Sequence, residues 1–166
     1  MKKELYLLRH AQAHERSSGQ EDFDRELNST GLQNATRMGM NLKNSEVQFD
    51  MIISSPAIRA LTTASLIAEQ LKYDTDRIHK NDEIYEASVR TFLSIINNLK
   101  EEWQCVLITG HNPAITYLVE YISKAEIGNM TTCGVCHIQF DGITWAEVSE
   151  GTGTLASYEY PDLLEF

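Results

Sequence analysis

The chain has 166 residues, enough for one domain with a substantial core, and its 42% hydrophobic and 23% charged residues are ordinary for a globular protein. Its formal net charge of -10 argues against a nucleic-acid partner, because nucleic-acid binding needs a basic face that neutralises phosphates. Transmembrane spans and a signal peptide are not evident in the sequence, since the N-terminal apolar run is too short for either. We therefore expect a cytoplasmic protein with no membrane partner, in which residues 1–166 form one domain.

The first predicted element is a strand at residues 4–8, followed directly by Arg9 and His10. An apolar run without alternation is typical of a strand buried on both faces of a parallel sheet. Ligands of open α/β sheets bind outside the carboxyl ends of the strands, so Arg9 and His10 are candidate site residues. The polar residues 15–28 then predict a loop at the rim of that site.

Helices and strands alternate along the rest of the chain. We predict helices from a cap at Asn28, Ser29 or Thr30 to about residue 43, from Ser55 and Pro56 to 71, over 89–99, and from Asn112 and Pro113 to 122. Predicted strands cover 49–54 and 105–109, residues 78–85 contain a short strand, and a hairpin joins 131–140 to 143–148 through an Asp-Gly turn. This alternation predicts an α/β fold with a mainly parallel sheet, helices on both faces and a C-terminal β-hairpin.

The three cysteines are too few and odd in number for a disulfide framework. Cys133 and Cys136 have the spacing of a redox or half-zinc pair, but their context is strand-like and there is no second pair. Buried thiols in a reducing compartment are the favoured interpretation of both, and of Cys105.

Polar residues follow three of the predicted strands. They are Arg9 and His10 after the first, Ser54 to Pro56 with Arg59 one turn into the next helix, and Gly110 to Pro113 after the third. Helix amino termini favour anions, and the guanidinium fork matches phosphate oxygens. The sequence therefore predicts a phosphate-sized pocket with two histidines and at least two arginines. It contains no Walker-type glycine-rich loop.

These segments resemble the motifs of the histidine phosphatase (phosphoglycerate-mutase-like) superfamily. The residues Leu8-Arg9-His10-Ala11 resemble its RHG signature, and residues 54–64 match its second motif, S-x-x-x-R-A-x-x-T-A. Gly110-His111-Asn112-Pro113 matches the third. The short length and the segment at residues 24–27 are most similar to the SixA-like phosphohistidine phosphatases. The resemblance implies a three-layer α/β/α sandwich and phosphoryl transfer without a metal or cofactor.

The resemblance also implies roles for individual residues. His10 would be the nucleophile that becomes phosphorylated, and Arg9, Arg59 and His111 would hold the phosphoryl oxygens. Catalysis of phosphoryl transfer is mostly positioning and electrostatic stabilisation, and a nucleophile divides hydrolysis into two easier displacements. Ala11 departs from the glycine of the signature, and Asn28 stands where a threonine is usual; neither change removes a group that the chemistry needs.

Three further residues complete the candidate set. Glu86 lies between a strand and a helix, as the acidic residue of this family often does, and is the predicted general acid; Glu83 is an alternative, or no acid is needed. Arg25 lies where the SixA branch has an arginine near the phosphate. Asn112, within the third motif, is a candidate substrate-binding residue.

The function expected from this set is a metal-independent phosphatase that removes phosphate from phosphohistidine on a protein partner. One alternative substrate is a small phosphorylated metabolite, on which the protein would act as a phosphatase or mutase. A catalytically silent phosphate-binding protein is a further alternative. A zinc site at His10 and His14 is disfavoured, because these residues follow a strand and lack the glutamate of a zinc-protease motif.

Overall fold

The computed structural model describes residues 2–164 and confirms the predicted α/β class. Its strands are β1 (Lys2–Arg9), β2 (Met51–Ser54), β3 (His79–Lys80), β4 (Cys105–Gly110), β5 (Val135–Asp141) and β6 (Thr154–Glu159). The helices are α1 (Ser29–Asn44), α2 (Ile58–Gln70), α3 (Val89–Asn97) and α4 (Ala114–Ser123). Short 3₁₀ turns lie between them, at Asp22–Asp24, Thr75–Arg77, Asp82–Ile84 and Trp145–Glu147.

The strands form one sheet in the order β3-β2-β4-β1-β5-β6. The four strands from β3 to β1 are parallel, and β5 and β6 add antiparallel pairs at the other edge. In the register of the sheet Arg9 lies opposite Gly110, and Ser54 lies opposite Thr109. The carboxyl ends of β1, β2 and β4 therefore meet at one edge, which carries all three predicted motifs.

Helices cover both faces of the sheet, as the three-layer architecture requires. Side chains of β1 alternate between the layers: Tyr6 and Leu8 pack in one buried cluster, and Leu5 and Leu7 in the other. The first cluster includes Met38 of α1 and Ile67 of α2, and the second includes Phe92 of α3 and Ile115 of α4. Since β1 is buried on both faces, its apolar run lacks alternation.

The helix starts confirm one of the three predicted caps. Asn28 caps α1, and its side-chain oxygen accepts a hydrogen bond from the backbone N–H of Gly31 at 2.8 Å. The other two helices begin one or two residues later than predicted, with Ala57 and Pro113 as their N-caps. The side chain of Ser55 contacts Nε2 of His111, and the side chain of Asn112 donates to the Met130 carbonyl and accepts from the Thr116 hydroxyl.

The predicted strand at 143–148 is wrong, and β6 is the partner of β5 in the C-terminal hairpin. Residues 145–147 form a 3₁₀ turn because Trp145 is fully buried and its ring N–H donates to the carbonyl of Trp103 at 2.8 Å. Asn97 also donates to the carbonyls of Trp145 and Val148, at 2.8 and 3.0 Å. These tertiary contacts outweigh the local preference for a strand.

Two smaller predictions are settled by the same structure. The predicted short strand within 78–85 is limited to the two residues of β3, because the chain turns into 3₁₀ structure at Asp82–Ile84. All three cysteines are buried and free, as predicted.

None of the helices in the described part of the chain has the length and apolar character that a membrane crossing needs.

Candidate active site

His10 lies immediately after β1 and is buried, with 8% of its surface exposed. Its Nδ1 atom is 2.8 Å from the carbonyl oxygen of Ala11, which can only accept, so Nδ1 carries the proton. The other nitrogen, Nε2, is therefore left as the basic atom, and it accepts a hydrogen bond from Nε of Arg59 at 3.4 Å. This tautomer presents a nitrogen lone pair to the interior of the site.

The surroundings of His10 keep its ring uncharged at neutral pH. Burial lowers the pKa of His10 to about 4, with further lowering from Arg59, Arg9 and Arg25 and an opposing effect of the hydrogen bond to Ala11. A protonated ring has no lone pair on Nε2 and cannot attack phosphorus. The arginines that would bind the phosphoryl group thus also help to keep the nucleophile competent.

Arg59 projects from the first turn of α2 and is buried, with 6% of its surface exposed. While Nε points to His10, the two terminal nitrogens bind Asp22 of the loop. Nη1 donates to the backbone carbonyl of Asp22 at 2.8 Å, and Nη2 donates to its Oδ2 atom at 3.0 Å. The guanidinium is consequently fixed in one orientation beside His10.

His111 follows β4, and its ring centroid is 5.2 Å from that of His10. Its Nε2 atom and the hydroxyl oxygen of Ser55 are 2.7 Å apart, and the same oxygen accepts the backbone N–H of Ala57 at 3.2 Å. Burial, followed by His10 and Arg59, lowers the pKa of His111 to about 3. This ring is therefore also neutral near pH 7.

Arg9 completes the group at the end of β1, and its Nη1 atom donates to the carbonyl of Met130 at 2.8 Å. Within residues 2–164, the Nε atom of Arg9 and the Nδ1 atom of His111 are buried without a hydrogen-bond partner. Buried polar groups in folded proteins are nearly always paired. These two unpaired nitrogens lie on residues close to His10 in space, and they indicate a pocket that receives an anion.

The other predicted residues lie at different distances from this centre. Arg25 donates to the carbonyl of His14 at 2.9 Å and to Oδ1 of Asp22 at 3.0 Å, so it borders the site through Asp22. Asn112 donates to the carbonyl of Met130 at 3.1 Å, the oxygen that also accepts from Arg9. This contact makes Asn112 a neighbour of the Arg9 side chain.

Glu86 and Glu83 are both exposed on the segment around the turn at Asp82–Ile84. In the described part of the chain no hydrogen bond joins either carboxylate to His10, His111 or Arg59. Tyr85, which lies between Ile84 and Glu86, enters the site instead. The role of Glu86 as a general acid stays a prediction.

Sequence reasoning missed two residues of the site, Asp22 and Tyr85. The hydroxyl of Tyr85 donates to Oδ2 of Asp22 at 2.7 Å, and its ring packs edge-on against His111 with centroids 5.7 Å apart. The Tyr85 hydroxyl, then Arg25 and Arg59, hold the pKa of the Asp22 carboxyl far below its usual range against the opposing effect of burial. The one feature of the sequence that points to Asp22 is its position three residues before Arg25.

The model of the histidine phosphatase superfamily (branch 1) matches residues 5–93, which include the first two motifs and therefore His10 and Arg59. The chain belongs to this superfamily. As a histidine phosphatase, it is an enzyme that acts on phosphorylated substrates, and the site described above holds the two motif residues within hydrogen-bonding reach of each other.

Several solved structures resemble this histidine phosphatase over nearly its whole length. A candidate phosphohistidine phosphatase SixA from Agrobacterium tumefaciens is 28% identical, with a TM-score of 0.80, over 96% of this chain and 98% of that one. The SixA protein histidine phosphatase complexed with tungstate has a TM-score of 0.83 at 23% identity, covering 98% and 99%. The mycobacterial glucosyl-3-phosphoglycerate phosphatase has the same fold, with a TM-score of 0.71 at 16% identity, covering 97% and 100%.

A sequence relative comes from Picosynechococcus, an uncharacterised protein that is 25% identical over 136 residues, 76% of either chain. The SixA-like character predicted from the motifs is confirmed by the structural likeness to the A. tumefaciens protein.

Proposed function

We propose that this histidine phosphatase removes phosphate from phosphohistidine on a protein, through a phosphorylated His10. Nε2 of His10 attacks phosphorus, and the N–P bond of the substrate breaks. The electron pair of that bond stays on the departing imidazole nitrogen, which takes a proton from solvent. Water then attacks phosphorus, the bond to Nε2 breaks with its electron pair returning to Nε2, and inorganic phosphate leaves.

The remaining residues of the proposal stabilise the charge on the transferred group. Negative charge spreads over the equatorial oxygens during phosphoryl transfer, and fixed donors aimed at those oxygens lower the barrier. Arg9 and Arg59 supply guanidinium donors near His10, and His111 supplies Nδ1. Arg25 adds positive charge at the rim, and Asn112 helps to hold the segment against which Arg9 is placed.

One observation supports phosphohistidine over a phosphate ester as the substrate: among residues 2–164, the site contains no evident proton donor for the leaving group. The carboxylate of Asp22 is ionised and accepts from three side chains, and Glu86 is exposed to solvent. A sugar or other alkoxide leaves poorly without general acid catalysis, which contributes typically about 10²–10⁴-fold. Imidazole is a better leaving group and relaxes that requirement.

The similarity to the A. tumefaciens SixA protein supports the same choice, since that protein is described as a candidate phosphohistidine phosphatase. The alternative substrate, a small phosphorylated metabolite, is favoured by the fold shared with the glucosyl-3-phosphoglycerate phosphatase. These two candidates use the same nucleophile and differ in the leaving group.

The deciding experiment compares kcat/KM for a phosphotransfer domain that carries phosphohistidine with kcat/KM for a panel of sugar phosphates and phosphoglycerates. We expect the phosphoprotein to be preferred by at least about tenfold, with turnover lost in His10→Ala. A clear preference for one of the metabolites would contradict the proposal. Phosphate binding without turnover of any substrate would favour a silent binding protein.

A further inference from the structure

We propose that Asp22 is a positioning residue, which holds one edge of the Arg59 guanidinium so that the other edge faces the phosphoryl group at Nε2 of His10. This role of Asp22 rests on the proposed phosphatase chemistry at His10 and is the same for any phosphorylated substrate of the enzyme. Asp22 comes from the loop before α1, outside the three motifs that define the site.

The contacts of Arg59 divide its donors into two sets. Nη1 and Nη2 both bind Asp22, through its backbone carbonyl at 2.8 Å and its Oδ2 atom at 3.0 Å. Two acceptors on one residue occupy the Nη1–Nη2 edge of the planar group. The neighbouring edge, formed by Nε and the second N–H of Nη2, lies toward His10, where Nε is 3.4 Å from Nε2.

Nε on this second edge donates to Nε2 of His10 and, with the second N–H of Nη2, forms a two-donor fork with the geometry that matches two oxygens of a phosphoryl group. A phosphoryl group attached to Nε2 of His10 would place its oxygens next to this fork. An arginine side chain has many rotamers, so the fork is useful only if something fixes its direction. Asp22 does so by binding the edge that the phosphoryl group does not need.

Asp22 is itself held from two sides. Nη1 of Arg25 donates to its Oδ1 atom at 3.0 Å, and the hydroxyl of Tyr85 donates to Oδ2 at 2.7 Å. The Phe23 ring packs edge-on against Tyr85, with centroids 5.3 Å apart. The low pKa of its carboxyl keeps Asp22 ionised, so it can hold Arg59 and cannot serve as a proton donor.

A competing interpretation of the same contacts is that the Asp22 carboxylate occupies Arg59 as an internal substitute for phosphate. The two interpretations predict opposite results. Removing a competitor would strengthen the binding of a phosphate-like anion and lower KM. Removing a positioning residue would weaken anion binding and lower kcat.

The test compares Asp22→Ala and Asp22→Asn with the parent protein, using an aryl phosphate for kcat and KM and orthovanadate for anion affinity. We expect Asp22→Ala to lower kcat/KM on the order of 10²-fold, mainly in kcat, because a misplaced catalytic group costs about that much. Vanadate affinity should fall as well. Asp22→Asn keeps an acceptor oxygen for Nη2 and should recover part of the loss.

Asp24→Ala is the matched control, since Asp24 lies in the same 3₁₀ turn with its side chain exposed. It should stay within about twofold of the parent in every measurement. Thermal unfolding of each variant establishes that it is folded. Tighter vanadate binding by Asp22→Ala would overturn the proposal in favour of internal competition.

A double-variant cycle separates positioning from a general structural effect. In an Arg59→Ala background there is no guanidinium to orient, so Asp22→Ala should change vanadate affinity by less than about threefold. Fully additive losses would show that Asp22 acts independently of Arg59 and would overturn the proposal. Vanadate binding can be measured without turnover, so these outcomes stay distinct from a wrong choice of physiological substrate.

Discussion

Nε of Arg59 lies 3.4 Å from Nε2 of His10, so the proposed phosphate-binding guanidinium and the proposed nucleophilic nitrogen face each other inside the protein. Both residues are nearly inaccessible to solvent. Their juxtaposition links charge stabilisation to nucleophile activation, because the positive charge that attracts the phosphoryl group also disfavours protonation of His10.

The protonation state of His10 should be visible in a pH titration. Burial and the neighbouring arginines lower its pKa to about 4. We therefore expect the NMR signal of the His10 ring to stay constant between about pH 8 and pH 5 and to shift only near pH 4. A midpoint near the ordinary value of about 6.5 would contradict the burial and charge argument.

The same depressed pKa affects stability. Below about pH 6.5 the unfolded chain binds a proton at His10 that the folded protein does not bind. The free energy of unfolding should therefore fall as pH is lowered from about 6.5 toward 4, and His10→Gln should make that fall shallower. Denaturant unfolding of both proteins at several pH values measures the difference, and identical pH dependences would argue against the prediction.

Ser55→Ala should impair the site through His111. The Ser55 hydroxyl oxygen is 2.7 Å from Nε2 of His111, and its loss leaves a buried ring nitrogen without that partner. We expect kcat/KM to fall about tenfold, the equivalent of one hydrogen bond of about 1.4 kcal/mol. Ser54→Ala is the control, because Ser54 is equally buried and its hydroxyl donates to the Ser55 carbonyl, away from His111. Equal losses in both variants would show that the effect is not specific to His111.

Glu86→Gln tests the predicted general acid. A proton donor helps a leaving group that departs as an alkoxide and does little for imidazole. If Glu86 is the general acid, the variant slows hydrolysis of an alkyl phosphate while phosphohistidine turnover stays within about threefold. Unchanged alkyl phosphate turnover would remove Glu86 from the catalytic set, in keeping with its exposed position.

Exhaustive chelation should leave activity unchanged, because the proposed mechanism uses two histidines and two arginines in place of a metal ion. In the part of the chain that the structure describes, His, Cys, Asp and Glu side chains form no group of three suited to a metal. The measurement is turnover after prolonged dialysis against a chelator, with and without added zinc. Activity that disappears on dialysis and returns with zinc would contradict the mechanism.

The sequence predicted those parts of the site that depend on one strand and the residue after it. His10 and His111 follow β1 and β4, and the parallel pairing of these strands brings their ends together. Arg59 was predictable because it lies one turn into the helix after β2. In each case, a local pattern and a general rule of parallel sheets were sufficient.

The contributions of Asp22 and Tyr85 could not be predicted in this way. Both lie in or next to short 3₁₀ turns without apolar periodicity, and they meet across 63 positions of the chain. The error at 143–148 has a similar origin, because the burial of Trp145 depends on Asn97 and Trp103 in a distant segment. Contacts between irregular segments are set by tertiary packing, which a local sequence pattern does not encode.

The most direct test of the account is to trap the enzyme during turnover of a phosphohistidine-bearing protein with labelled phosphate, by rapid quenching in alkali. We expect an acid-labile label on His10, formed and lost at the rate of turnover and absent in His10→Ala. Full turnover without a label on His10, or with the label on another residue, would contradict the assignment of His10 as the nucleophile.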